Sequence, residues 1–178
     1  MRSDYRKYKK YGGSFFGIIF LTQGFWAVFQ YRIAHFIYSK IKWQPFRFLG
    51  LFILLIYQKN IEILTGISIS AASKIGHSFY IGHFGGIIIN ANAVVGNNCN
   101  ISQGVTIGVS GRGKSRGVPV IGNEVYIGAN AVVSGNISIG NGVLIGACSM
   151  VNTSVADNLV VSGVPAVVIS QNGSKGYI

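Results

Sequence analysis

The sequence predicts a mainly β chain: a three-sided parallel β-coil preceded by a small helical region. Three observations carry this. Ile or Val recurs every six residues at positions 69, 75, 81, 89, 95, 101, 107, 121, 127, 133, 139, 145 and 151, with only two interruptions. A short fixed period means stacked units that each contact only their neighbours, with the rung side chains filling the axis. The residue after each rung is Gly eight times, Ser three times and Asn twice, so small residues are expected at the corners, where backbone angles are unusual. Only 11% of the 178 residues are charged and 49% are hydrophobic, so most of the chain must be buried or paired.

Residues 1–62 form a basic, aromatic, helical N-terminal region. Residues 1–10 are expected to be a mobile tail. The run Tyr11–Tyr31 carries no charge. It is long enough to cross a membrane, but Gly12, Gly13, Thr22, Gln23 and Gly24 weaken its hydropathy. Residues 25–40 read as a helix with Trp26, Phe29, Ile33 and Ile37 along one stripe. Pro45 opens a second apolar helix running through Ile56 or beyond. The segment Phe46–Tyr57 is too short to span and contains Arg47. Two readings of this region stay open: helices buried against neighbouring subunits, or a membrane-surface anchor with basic and aromatic side chains at the interface. The coil is expected over residues 63–156, with an extruded loop at 109–119, and residues 157–178 form a C-terminal tail.

The net charge is +11, and ten of the fifteen Lys and Arg lie in residues 1–60. From Ile69 to Ala156 the only charged residues are Lys74, Arg112, Lys114, Arg116 and Glu124. Such a balance attracts polyanions; nucleic acid is not expected, since no motif stands behind the charge. Cys99 and Cys148 have neither disulfide nor metal spacing and read as small buried thiols, compatible with a reducing cytosol. No A-x-A-like cleavage site follows the apolar N-terminal run.

The interruptions carry the chemistry. Between Ile81 and Ile89 stand eight positions instead of six, placing His83 just after a corner and followed by Gly85 and Gly86. A histidine held there suits general-base work on a hydroxyl; a surface histidine in a tolerated bulge is the plainer alternative. His77 reads as a solvated side chain and His35 as a packing or capping residue. Between Ile107 and Ile121 stand fourteen positions. The segment Ser110–Gly117 is basic and Gly-rich and reads as a mobile loop that could close over an anionic ligand, or as a solubilising loop. A six-residue period leaves no room for the strand–loop–helix of a nucleotide-binding fingerprint.

Residues 23–168 resemble the hexapeptide-repeat acyltransferases, most closely the serine acetyltransferase branch. The matching pieces are Gly24–Ala27, Tyr31–His35, Thr65–Ile67, Ile81–His83, Gly104–Gly108, Ile127–Ala131, Ile145–Ala147 and Gly163–Ala166. The longer helical N-terminus of that branch is absent. The resemblance implies a left-handed parallel β-helix, a homotrimer with inter-subunit sites, and acetyl-CoA as co-substrate. It places the catalytic role on His83. It lines the donor groove with Gly108, Ala129 and Ala147, and sets Gly163 and Pro165 near the adenine end. Among the loop cations, Lys114 is assigned to the donor. Arg112 and Arg116, with Gly82, are assigned to the acceptor. No metal is implied, and the three-histidine site of gamma carbonic anhydrases has too few histidines here.

Two departures shape the expected substrate. The Asp that precedes the histidine in serine acetyltransferases is Gly82 here, and their Arg-His-Pro element is Gly117-Val118-Pro119. This implies an O-acetyltransferase acting on a carbohydrate hydroxyl, of the kind found in capsule, exopolysaccharide and O-antigen O-acetylation, in the bacterial cytoplasm or at the inner face of its membrane. Serine or another small molecule is the alternative acceptor; a non-catalytic β-solenoid assembly module is the alternative of another class.

Overall fold

The structure, a computed structural model, describes residues 1–178 apart from the side chain of Lys114. Three helices lead: α1 (Arg2–Lys10), α2 (Gln23–Lys40) and α3 (Gln44–Thr65). Fifteen strands follow. They are β1 (Ile67–Ile69), β2 (Lys74–Ile75), β3 (Tyr80–Ile81), β4 (Ile87–Ile89), β5 (Val94–Val95), β6 (Asn100–Ile101), β7 (Thr106–Gly108), β8 (Val120–Ile121), β9 (Tyr126–Ile127), β10 (Val132–Ser134), β11 (Ser138–Ile139), β12 (Leu144–Ile145), β13 (Met150–Val151), β14 (Val160–Gly163) and β15 (Ala166–Ser170). They stack into three faces: β1-β4-β7-β10-β13 (face A), β2-β5-β8-β11 (face B) and β3-β6-β9-β12-β14-β15 (face C). This is the parallel β-solenoid expected from the ladder.

The register sets rung on rung, as in Ile81↔Ile101↔Ile127↔Ile145 on face C. All thirteen rung residues are buried, none more than 7% exposed. The glycines after the rungs have a different cause from the one expected. Left-handed backbone falls three residues after the rung, at Asn98 (φ 59°), Glu124 (φ 57°) and Asn130 (φ 59°). At six of the eight rungs followed by glycine, all but those before Gly82 and Gly108, the glycine is required because the next coil lies on it. A Cβ on Gly128 would stand 2.6 Å from the Ala147 nitrogen. Truncating an axial rung leaves a cavity the stacked neighbours cannot close. Ile127→Ala is expected to lower stability by about 2–5 kcal/mol, read by urea denaturation.

The helices cap the first coil, whose strands would otherwise expose an open edge. Tyr31 Oη donates to the Ser73 carbonyl (2.9 Å) and accepts from the Ile75 N–H (3.0 Å). Tyr8 Oη does the same for Ile81, donating to its carbonyl (3.3 Å) and accepting from its N–H (3.1 Å). The expected mobile tail is therefore corrected: residues 2–10 are helical, with Asp4, Lys7 and Tyr8 buried. Asp4 accepts from Arg32 Nη2 (2.8 Å), Arg32 Nε (3.0 Å) and the Phe79 N–H (2.9 Å). Burial lowers the Lys7 ammonium to about 8, and its Nζ donates to Asn98 Oδ1 at 2.7 Å.

Three further expectations change. The Tyr11–Tyr31 run is no continuous helix: a π-helical turn at Gly17–Leu21 ends at Thr22, whose backbone is extended. The helix long and apolar enough to cross a membrane, by length and composition, is instead α3. Cys99 is buried, with its thiol pushed up to about 11 by desolvation, but Cys148 is exposed at a corner with φ 56°. The C-terminal tail is structured: β14 continues face C in parallel on β12, and β15 folds back antiparallel on β14.

Candidate active site

The six-residue period shows which residues are extra at the first interruption. Gly82 and Ser102 occupy equivalent places, each donating its N–H to the rung above, Ile101 (3.1 Å) and Ile127 (3.0 Å). Gly85 and Gln103 are likewise equivalent, their carbonyls accepting from Gly104 (2.8 Å) and Asn130 (2.9 Å). The two inserted residues are thus His83 and Phe84, extruded together where face C turns into face A. Both are exposed. Phe84, 53% exposed, drew no role from the sequence; counting equivalent hydrogen bonds, not the spacing alone, singles it out.

Close glycine packing holds this corner in place. Gly66 ends α3 in the left-handed conformation (φ 65°), and a Cβ there would stand 2.9 Å from the Gly86 nitrogen. Gly86 (φ 66°) in turn lies on Gly104. His83 makes no side-chain hydrogen bond among the described residues, so its ring is free to meet a substrate.

Ala129 and Ala147 sit at the same corner of the third and fourth coils. Gly163, at the tip of the β14–β15 hairpin, comes above them, its N–H donating to Ser149 Oγ at 3.2 Å; Pro165 follows in the same hairpin. With coils about 4.8 Å apart, an edge roughly 19 Å tall runs from His83 to Gly163. It is floored by small residues and suits an elongated thioester co-substrate.

The other predicted residues lie elsewhere within one chain. Gly108 ends β7, on the far side of face A. The second interruption leaves from that far edge as a hairpin arm, closed by the Ser110 and Gly117 backbone pair (3.1 and 3.0 Å). Its tip is a 3₁₀ turn at Gly113–Ser115, pinned by Ser115 Oγ donating to the Arg112 carbonyl at 2.8 Å. The loop is therefore extruded, and hydrogen-bonded at base and tip. Arg112 and Arg116 are exposed; the side chain of Lys114 lies outside the described residues. Three residues of strand, about 10 Å, separate the His83 edge from the arm. One chain does not bring His83 together with Arg112 and Arg116.

His35 and His77 stay apart from this site. His35 Nδ1 pairs with the Ala71 carbonyl (2.9 Å) and His77 Nδ1 with Ser78 Oγ (3.3 Å). No group of three His, Cys, Asp or Glu side chains converges among the described residues.

Comparisons with known proteins fit this geometry. The model of the family described as bacterial transferase hexapeptide (six repeats) matches residues 119–153. The serine acetyltransferase of Bacillus subtilis (strain 168) is 36% identical over 162 residues, which cover 91% of this chain and 71% of that one. The crystal structure of serine acetyltransferase from Brucella abortus strain S19 superimposes with a TM-score of 0.83 at 30% identity, covering 97% of this chain and 68% of that one. The coenzyme A complex of serine acetyltransferase from the same strain gives 0.83 at 30% identity, covering 97% and 67%. An edge of small residues leading to one extruded histidine, in a chain this similar to a coenzyme A-bound structure, defines an acetyl-CoA-dependent O-acetyltransferase of the hexapeptide-repeat class. Within that class the chain belongs to the serine acetyltransferase family.

Proposed function

We propose that this enzyme acetylates a hydroxyl of a carbohydrate, a capsular or other surface polysaccharide or its precursor, with His83 as general base. The observation that carries the acceptor class is the absence, among the described residues, of an amino-acid clamp beside His83. Serine arrives as a zwitterion and needs an anion for its ammonium and a cation for its carboxylate. The chain has four acidic residues. Asp4 is held by Arg32, Glu62 by Lys59, Gln58 and Ser68, and Asp157 by the Asn141 N–H. Glu124 lies at the face B to face C corner, beside Asn98 and Ser174. Gly82 precedes the histidine, Gly117-Val118-Pro119 itself carries no charge, and the arm's Arg112 and Arg116 have no acidic residue beside them to complete a clamp for an ammonium. A neutral sugar hydroxyl needs no such clamp, and the net charge of +11 favours an anionic polymer.

In the reaction an unprotonated His83 nitrogen takes the hydroxyl proton as the oxygen attacks the thioester carbonyl. Backbone N–H groups along the glycine-rich edge stabilise the oxyanion. The C–O bond forms, the C–S bond breaks, and coenzyme A leaves with a proton returned by the imidazolium. The separation of His83 from the arm supports a homotrimer, in which the arm of one copy meets the His83 edge of the next. Residues 63–156 then act as the catalytic unit, with residues 1–62 and 157–178 flanking it, in the bacterial cytoplasm.

The names of the relatives favour a second reading, serine itself. One experiment separates the two: acetyl-CoA with an acidic polysaccharide, a neutral polysaccharide or serine, followed by thiol release and O-acetyl signals. Turnover should be highest with the acidic polymer and fall with salt. Turnover with serine alone overturns the carbohydrate reading; no turnover and no coenzyme A binding favours the non-catalytic solenoid.

A missing carboxylate can also be restored. A Cβ on Gly82 meets only the Tyr80 ring, at 3.3 Å from Cε1, so Gly82→Asp fits with a small shift. An Asp there would orient the imidazole, and kcat is expected to rise roughly threefold to tenfold, measured by thiol release.

A further inference from the structure

We propose that the N-terminal helical region is a docking surface for an anionic lipid bilayer, which it contacts flat, without spanning it. Along α3 an arc of apolar side chains faces outward: Phe48, Leu49, Phe52, Ile53, Leu55 and Ile56 are each at least half exposed. The apolar surface continues around the domain. One groove runs between Phe20 and Phe29 on one side and Tyr57 and Leu64 on the other. Phe16 and Phe20, 72% and 60% exposed, extend it beyond α2. An exposed apolar patch this large marks an interaction site.

Charge names the partner. A second groove joins Ile19, Phe25 and Phe29 to Arg2, Arg6 and Lys9 of α1, so the basic helix forms the rim of the apolar surface. Lys40 and Lys42 stand where α2 passes into α3. All five cations are exposed and pair with no carboxylate among the described residues. The two carboxylates of the region, Asp4 and Glu62, are already engaged by Arg32 and Lys59. Apolar and aromatic side chains rimmed by unneutralised cations match the boundary between anionic headgroups and acyl chains. A second copy seated face to face would set cation against cation.

The helices cannot stand upright in a bilayer without leaving the domain. Gly50 of α3 packs on Ile37 of α2, and Gln30 Nε2 donates to the Leu54 carbonyl at 3.4 Å. At its C-terminal end α3 buries Ile61 in the solenoid core and passes through Gly66 into β1. Length and apolarity alone would allow α3 to span; its packing lays it along the surface.

The test is cosedimentation of the full-length protein with phosphatidylglycerol–phosphatidylcholine vesicles and with phosphatidylcholine vesicles, at low and high salt. Binding should favour the anionic vesicles and weaken with salt. Each cation removed should cost roughly fivefold in affinity, so Arg2→Gln/Arg6→Gln/Lys9→Gln should lose about a hundredfold. Phe16→Ser/Phe20→Ser should also lose binding at unchanged charge, and an unchanged melting temperature in both variants excludes misfolding. Equal binding to both vesicle types overturns the proposal. So does failure to bind vesicles, including the case where gel filtration shows that the Phe16→Ser/Phe20→Ser substitutions dissociate an oligomer, which would assign the face to a second copy. Neither result touches the acceptor reading, which rests on turnover.

Discussion

His83→Ala is expected to lower kcat by about 10²–10⁴-fold while leaving the fold intact. The size follows from the division of labour at the corner. The acceptor hydroxyl is a weak nucleophile until a base takes its proton, and His83 is the side chain the first interruption extrudes at the foot of the small-residue edge. The intact fold follows from its surroundings: His83 is exposed and makes no hydrogen bond among the described residues, so its removal should change stability by no more than about 0.5 kcal/mol. Thiol release in the presence of the preferred acceptor measures the first effect and thermal melting the second. Coenzyme A binding should persist in the variant, since the proposed donor edge from Ala129 to Gly163 is untouched. Full turnover in His83→Ala would sink the general-base role; lost turnover with lost melting would mean that the corner is structural.

The ladder made the solenoid legible because burial and period coincide: every rung from Ile69 to Val151 points into the axis. The same period exposed the site by its failures, and the two extra residues, His83 and Phe84, fall where the count breaks. What the period did not carry lies in contacts between elements. The reason for Gly128 is the coil above it, so conformational freedom was the wrong explanation for a close approach. The helicity of residues 2–10 depends on Arg32 and Phe79, 28 and 75 positions from Asp4, and no local pattern reports such partners. The sequence assigned the arm and the histidine to one reaction without saying where each lies on the coil. The structure sets them on opposite edges of face A, because corners alternate around a three-sided coil and the two breaks fall at different corners.

Asp4→Ala carries the other large effect, on stability instead of turnover. The carboxylate is 1% exposed and joins three elements: α1, which carries it; Arg32 of α2; and the Phe79 N–H leading into β3. Arg32 also donates to the Ile75 carbonyl (2.6 Å) and the Gly76 carbonyl (2.5 Å), so the pair ties the helices to the first coil. Removing one partner of a buried pair leaves the other charge uncompensated, and about 3–5 kcal/mol of stability should be lost, read by urea denaturation. Acid should reproduce the effect. Burial pushes the Asp4 carboxyl up, but the Arg32 guanidinium, the N-terminal ammonium and the Phe79 N–H outweigh it and hold it below its ordinary value of 3.8. A carboxyl lowered by folding contributes its full stability above the unfolded value and loses it as pH falls through the folded one. The wild-type melting temperature should therefore hold down to about pH 4 and drop below it. The Asp4→Ala protein, already without the pair, should show a shallower acid limb. Equal acid slopes in the two proteins would assign the acid sensitivity to other carboxylates and remove Asp4 from its bracing role.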